Sequence, residues 1–223
     1  MEFVEYPDRE MMMMDLANRI AGELKSCLFQ HEWASFAVPG GTTPGPIFDD
    51  LSSADLDWSR VHVMLTDERW VPEDHDRSNT RLLRERLLVD RAAEATYVPL
   101  YAPTETPEAS LDALSAAIEP ELPLSILLLG MGADMHTASL FPGADRLDDA
   151  LSKSAPPLMA MRAPGAPEPR ITLTAPVLSG AMTTHILITG AEKREALERA
   201  RHLKPHDAPV AAVLANATVH WAE

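Results

Sequence analysis

Four short apolar runs, each closing on a polar or glycine-bearing loop, set the rhythm of this chain. They are SFAV (35–38) before PGGTTPG, VHVMLT (61–66) before DERWVP, SILLLG (125–130) before MGADMH, and HILITG (185–190) before AEKREALERARH. Apolar runs of this length, bounded by turn residues, read as buried strands. Helical patterns stand between them. In DLANRIAGELKSCLF, residues Leu16, Ile20, Leu24 and Leu28 recur every fourth position and form one apolar face. NTRLLRERLLV follows Ser78, whose hydroxyl suits a helix N-cap. Strand, loop and helix in alternation predict an α/β fold with a mainly parallel sheet. Such sheets bind ligands off the carboxyl ends of their strands, so the four loops are expected to share one edge.

The stretch SKSAPPLMAMRAPGAPEPR (152–170) is rich in Pro, Ala and Gly. It reads either as a domain linker or as a surface loop. RITLTAPVL resumes ordered patterning directly after it, which favours a loop within one domain covering residues 1–223.

Composition narrows the partners. Hydrophobic residues make up 46% of the 223 positions, enough for a substantial core. Lys and Arg total 19 against 34 Asp and Glu, a formal net charge of -15. That argues against nucleic acid or an anionic membrane as a partner, but a local basic pocket can still hold a small anion. Cys27 is the single cysteine, so no disulfide forms within the chain. No signal peptide and no membrane-spanning run is recognisable, and a reducing cytoplasm is the expected location.

The loops carry the candidate chemistry. PGGTTPG offers backbone N–H groups and a following helix start, which suits an anion such as phosphate; a ligand-free tight turn fits the same residues. Asp67, Glu68 and Arg69 stand at a strand end, where an arginine can clamp a phosphate or carboxylate, or join a solvated ion-pair loop. Asp74, His75 and Asp76 match no metal-binding spacing, and Pro205 breaks the helix between His202 and His206. No metal is expected. GMGADMHTASLFPG (130–143) is the strongest signal. His136 suits general-base work, and Asp134, two residues earlier, can orient its ring and stabilise the imidazolium. Arg170 and Lys193 are further candidate phosphate cations, although each also fits an ordinary surface position.

In order, VPGGTTPGPIFDDL, WSRVHVMLTDERWVPEDHDRSNTRLLRERLL, LLLGMGADMHTASLFPG, PRITLTAPVL and ITGAEKREAL resemble the 6-phosphogluconolactonase family, over most of the chain. The resemblance implies a Rossmann-like fold with helices on both faces, shared with glucosamine-6-phosphate deaminases and ribose-5-phosphate isomerases. It implies hydrolysis of 6-phospho-D-glucono-1,5-lactone to 6-phosphogluconate, in the oxidative pentose phosphate pathway, without a cofactor. The family's catalytic histidine falls on His136 and its partner acid on Asp134. Its substrate-binding loop falls on Gly40, Gly41 and Thr42, its DER arginine on Arg69, and later basic positions on Arg170 and Lys193. Asp67 and Asn79, within the matched stretches, complete the expected substrate-binding set. The expected partner is a small sugar-phosphate lactone, with no obligate protein partner. A deaminase would be expected to carry an Asn-Glu pair after the histidine, whereas HTASLFPG has no carboxylate before Asp145. A non-catalytic sugar-phosphate sensor is the other alternative. The chain departs from the family's Gly-x-Asp-Gly-His pattern at Met135. If that position takes positive φ, a methionine costs about 1 kcal/mol or more. Its side chain is expected to point away from the pocket.

Overall fold

The computed structural model describes residues 1–223. Its strands are β1 (Glu2–Glu5), β2 (Ala34–Val38), β3 (Val61–Leu65), β4 (Asp67–Arg69), β5 (Thr96–Val98), β6 (Ile126–Gly130), β7 (Leu158–Met161), β8 (Arg170–Leu173), β9 (Thr183–Thr189) and β10 (Ala217–Ala222). The α-helices are α1 (Arg9–Gln30), α2 (Gly45–Ser52), α3 (Asn79–Arg86), α4 (Leu111–Ile118), α5 (Leu147–Leu151), α6 (Ala175–Ser179) and α7 (Ala191–Ala200). The expected strands and helices are all present at or near their predicted bounds.

Seven strands form the main sheet in the order β1-β10-β9-β6-β2-β3-β5, and every neighbouring pair is parallel. Strands buried on both faces need no polar alternation, which explains why β2 and β6 read as continuous apolar runs. From β2 the chain winds outward through β3 to β5. It then returns to β6, on the other side of β2, and winds the opposite way through β9 to β10. Right-handed crossovers in opposite directions place α2 and α7 on opposite faces of the sheet. The loops after β2 and β6 diverge at the switch point, where a crevice opens.

Helix α1 is capped by Asp8, whose carboxylate accepts from the Met11 N–H at 2.8 Å. Its buried face comprises Met12, Met13, Leu16, Ala17, Ile20, Leu24 and Leu28. The four consecutive methionines therefore lie inside the helix, with Met12 and Met13 inward and Met11 and Met14 exposed. One apolar cluster includes residues from the sheet and from α1, α2, α3 and α7. No helix is long and apolar enough to cross a membrane.

Two elements differ from the expectation. RITLT does form a strand, but β8 belongs to a separate antiparallel sheet of order β4-β8-β7 and not to the main sheet edge. The 152–170 stretch is not wholly surface loop: it contains β7, whose four residues are buried against β8. A four-residue strand flanked by prolines has too little pattern of its own, and its stabilising partner lies elsewhere in the chain.

Candidate active site

The small second sheet starts where β3 ends. Thr66 separates β3 from β4, and β4 pairs with β8 so that Asp67 opposes Thr172 and Arg69 opposes Arg170. This hairpin-like extension hangs charged side chains over the carboxyl ends of β2, β6 and β9. The result is a cleft of about 210 Å³. Of the expected residues, Gly40, Gly41, Asp67, Arg69, Asn79, His136, Arg170 and Lys193 line it. Asp134 stands behind His136, outside the lining. Thr42 is exposed, and the structure moves the threonine wall from Thr42 to Thr43.

The loop after β6 is built to present one imidazole. His136 N–H and Nδ1 both approach Asp134 Oδ1, at 3.1 and 2.6 Å. A ring nitrogen facing a carboxylate must carry the hydrogen, so Nδ1–H donates and Nε2 keeps its lone pair. That hydrogen bond holds the Asp134 carboxyl below the usual carboxylate range, against the opposing effect of burial. Gly132 allows the arrangement, since a Cβ there would overlap the His136 ring and the Asp134 carboxylate. The imidazole also stacks on Phe141, with ring centroids 4.3 Å apart and planes 29° apart. Met135 has φ +68 and Ala138 φ +49. Left-handed backbone at non-glycine residues costs of order 1–3 kcal/mol each and collects where a loop must aim a side chain. The Met135 side chain packs against the core and does not line the cleft, as expected.

The opposite wall is cationic. Like charges directly opposed across an antiparallel pair repel, yet Arg69 and Arg170 are such a pair. The Nε atoms of both are buried without a hydrogen-bond partner in the protein. Arg170 is only 8% exposed, and burial lowers its guanidinium pKa, with Asp67, 3.9 Å away, opposing the shift. Asp67 in turn accepts from the Ser139 hydroxyl at 2.6 Å. Two crowded guanidiniums with unmet donors are suited to an oxyanion that bridges them. Lys193, in the first turn of α7, adds a third cation. In the loop after β2, the backbone N–H groups of residues 40–43 make no hydrogen bond within the protein. Gly41 there takes φ +83, and a Cβ on Gly40 would overlap the Asn79 side chain.

Asn79 is held by a residue that charge pattern alone did not single out. Glu68 is fully buried and accepts from Arg69 N, Asn79 N, Thr80 N, Thr80 Oγ1 and Ser78 Oγ at 2.7 to 3.2 Å. Burial pushes its pKa up, and these hydrogen bonds oppose the rise. The carboxylate thus gathers the start of α3, where Ser78 caps as expected and accepts from Arg81 N. Asn79 Nδ2 donates to the Asp67 carbonyl, which ties the helix to β4.

The remaining candidates are absorbed elsewhere. His75 Nδ1 accepts from Arg77 N, Asp76 pairs with Arg81, and His206 pairs with Asp148 at 2.6 Å. No set of three His, Cys, Asp or Glu side chains gathers with metal-binding geometry.

A parallel sheet with a switch-point crevice, a carboxylate-held imidazole and a cationic wall defines a Rossmann-like sugar-phosphate enzyme class. The sequence profile of the family described as glucosamine-6-phosphate isomerases/6-phosphogluconolactonase matches residues 7–221, and the chain belongs to that family. It is 42% identical over 215 residues to a 6-phosphogluconolactonase of Rhizobium meliloti, covering 93% of this chain and 92% of the relative. It is 40% identical to that of Pseudomonas aeruginosa, covering 92% and 88%. The crystal structure of a 6-phosphogluconolactonase from Shewanella baltica superposes with a TM-score of 0.96 at 33% identity, over 100% of this chain and 97% of the other. A monomeric glucosamine-6-phosphate deaminase shares the fold, with a TM-score of 0.82 at 17% identity over 99% and 97%.

Proposed function

We propose that this chain is an enzyme that hydrolyses 6-phospho-D-glucono-1,5-lactone to 6-phosphogluconate, the reaction named for its relatives. The observation that carries the reading is the pairing of a carboxylate-locked imidazole with two crowded, donor-rich guanidiniums across one small cleft. A δ-lactone is an activated ester, so water needs only a base and a stabilised oxyanion. His136 Nε2 takes a proton from water as the oxygen attacks the lactone carbonyl. As the tetrahedral intermediate collapses, the imidazolium returns a proton to the ring oxygen and the ring opens. Asp134 fixes the tautomer and favours the imidazolium. Arg69, Arg170 and Lys193 grip the phosphate, so its binding energy positions the distant carbonyl. Gly40, Gly41, Thr43 and Asn79 shape the wall between, and free N–H groups there face the substrate's anionic oxygens.

This chemistry calls for no metal or organic cofactor, and activity is expected to survive exhaustive chelation. The proposed partner is the small sugar phosphate alone, in a cytoplasm where Cys27 stays reduced. A coupled lactone-hydrolysis assay, with spontaneous opening subtracted, tests the reading. Turnover above that background is the expected result. Ammonia release from an amino-sugar phosphate would replace the reading with a deaminase, and tight binding without turnover would replace it with a sensor.

A further inference from the structure

We propose that Phe141 is a positioning residue for the base: its ring is the shelf that fixes the plane of the His136 imidazole. The proposal rests on the lactonase reading and deepens it. A base on a loop needs two constraints. The Asp134 hydrogen bond fixes one ring edge, but it leaves the imidazole free to swing about that contact. Asp134 is also 53% exposed, so water competes for the bond. The Phe141 face supplies the second constraint through the stack at 4.3 Å. The shelf is itself held. Phe141 belongs to the same short loop, and the Arg170 guanidinium lies over its ring, 5.5 Å from the centroid. Arg170 comes from β8 and is anchored by its ladder pairing with β4. A cation over an aromatic face is attracted by the ring quadrupole, so the contact resists the shelf tilting away. Plane and edge together give Nε2 one direction.

The test compares wild type with Phe141→Leu and Phe141→Tyr. Leucine keeps an apolar contact but offers no flat face, whereas tyrosine restores the face. Displacement of a catalytic group by about 1 Å costs about 10²-fold, so kcat is expected to fall on that order in Phe141→Leu. KM is expected to change by less than about threefold, because the phosphate cations stay in place. Phe141→Tyr should recover most of the loss. In a His136→Asn background, Phe141→Leu should change the residual rate by less than about twofold, since a residue acting through another adds nothing once that other is gone. A second readout needs no turnover. Spectra of ring-labelled histidine should show the His136 resonances shifted and broadened in Phe141→Leu, with those of His185 and His220 unmoved. Unchanged His136 resonances, or an equal loss in the Leu and Tyr variants, would overturn the proposal. If wild type opens no lactone, the functional reading fails, and the spectra alone decide whether the ring holds the imidazole.

Discussion

Two histidine–carboxylate systems in this molecule use the same groups to opposite ends. In the cleft, His136 spends one ring nitrogen on Asp134 and leaves the other without a protein partner. On the far part of the sheet, Glu23, His185, His220, Tyr6 and Asp15 form an unbroken chain with contacts of 2.8, 3.0, 2.9 and 2.7 Å. Both ring nitrogens of both histidines are used. The contacts are satisfied when the hydrogens run one way: His185 Nδ1 donates to His220, His220 Nδ1 donates to Tyr6, and Tyr6 donates to Asp15. His185 and His220 sit on β9 and β10, 1% and 0% exposed, and the chain ties those strands to α1 and its preceding turn. Burial pushes His220 down to about 3, so it stays neutral. A histidine with a carboxylate nearby is therefore no sign of catalysis by itself. The difference lies in the idle nitrogen and in the space and charge beside it.

The comparison breaks most sharply at His136. His136→Asn is expected to lower turnover by about 10²–10⁴ while the fold and phosphate affinity persist. Product binding measured beside turnover separates lost chemistry from a damaged loop. Turnover near wild type would move the base elsewhere, with Asp67 the next candidate. Asp134→Asn should act in the same direction. Because the Asp134 pKa is depressed in the fold, its ion pair contributes at neutral pH and above, and is lost as pH falls through that lowered value.

Arg170 tests the charge beside the idle nitrogen. Arg170→Ala is expected to weaken phosphorylated ligands by about 2–5 kcal/mol, much of it from leaving the ligand charge unpaired. Titration with 6-phosphogluconate reads the loss, and the unphosphorylated sugar acid serves as control. An equal effect on both acids would remove Arg170 from the phosphate site.

The buried chain should answer through stability alone. Tyr6→Phe leaves the His220 Nδ1–H unpaired and is expected to cost about 1–3 kcal/mol in denaturant unfolding, with kcat unchanged. The pH dependence has a definite sign. His220 binds a proton in the unfolded chain near the ordinary histidine value of 6.5 but only near 3 in the fold. Its contribution is present above the first value and is lost as pH falls from there towards the second. A flat stability curve across that window, or a drop in kcat for Tyr6→Phe, would blur the distinction between the two systems.

What could be read along the chain was what neighbouring residues determine. Gly40, Gly41, Asp67, Arg69, His136, Arg170 and Lys193 sit in or beside local loop signatures, and all reach one cleft. What escaped depends on distant pairing. Glu68 looked like one charge of three, because its role exists only once α3 brings Asn79 and Thr80 against it. Gly132 is one glycine among several in its loop, and only the folded ring shows why a Cβ cannot stand there. Phe141 was one apolar residue in an apolar run until it met the imidazole. The threonine of the cleft wall slid by one, from Thr42 to Thr43, which is the precision a tight turn denies to pattern reading. In the fold, β7 and the small antiparallel sheet were illegible for the same reason: four residues gain strand identity only from a partner.

Met135 is the smallest and most pointed test, since it departs from the family's glycine in the loop that separates the two histidine systems in kind. At φ +68 the methionine pays a left-handed cost of about 1–2 kcal/mol. Three contacts hold it there. Its N–H donates to the Gly132 carbonyl at 2.9 Å, its carbonyl accepts from Val210 N at 3.1 Å, and its side chain packs on the core. Met135→Gly relieves the strain but discards the packing and loosens the unfolded chain, so the stability terms oppose each other. Neither change moves Asp134 or His136, because the backbone shape the loop already has is the one glycine prefers. Catalytic efficiency is therefore expected to stay within about tenfold, a difference of about 1.4 kcal/mol. Steady-state rates on the phosphorylated lactone check it. A gain of several orders of magnitude would mean that the methionine disables the loop, and that the open histidine is in practice as idle as the buried pair.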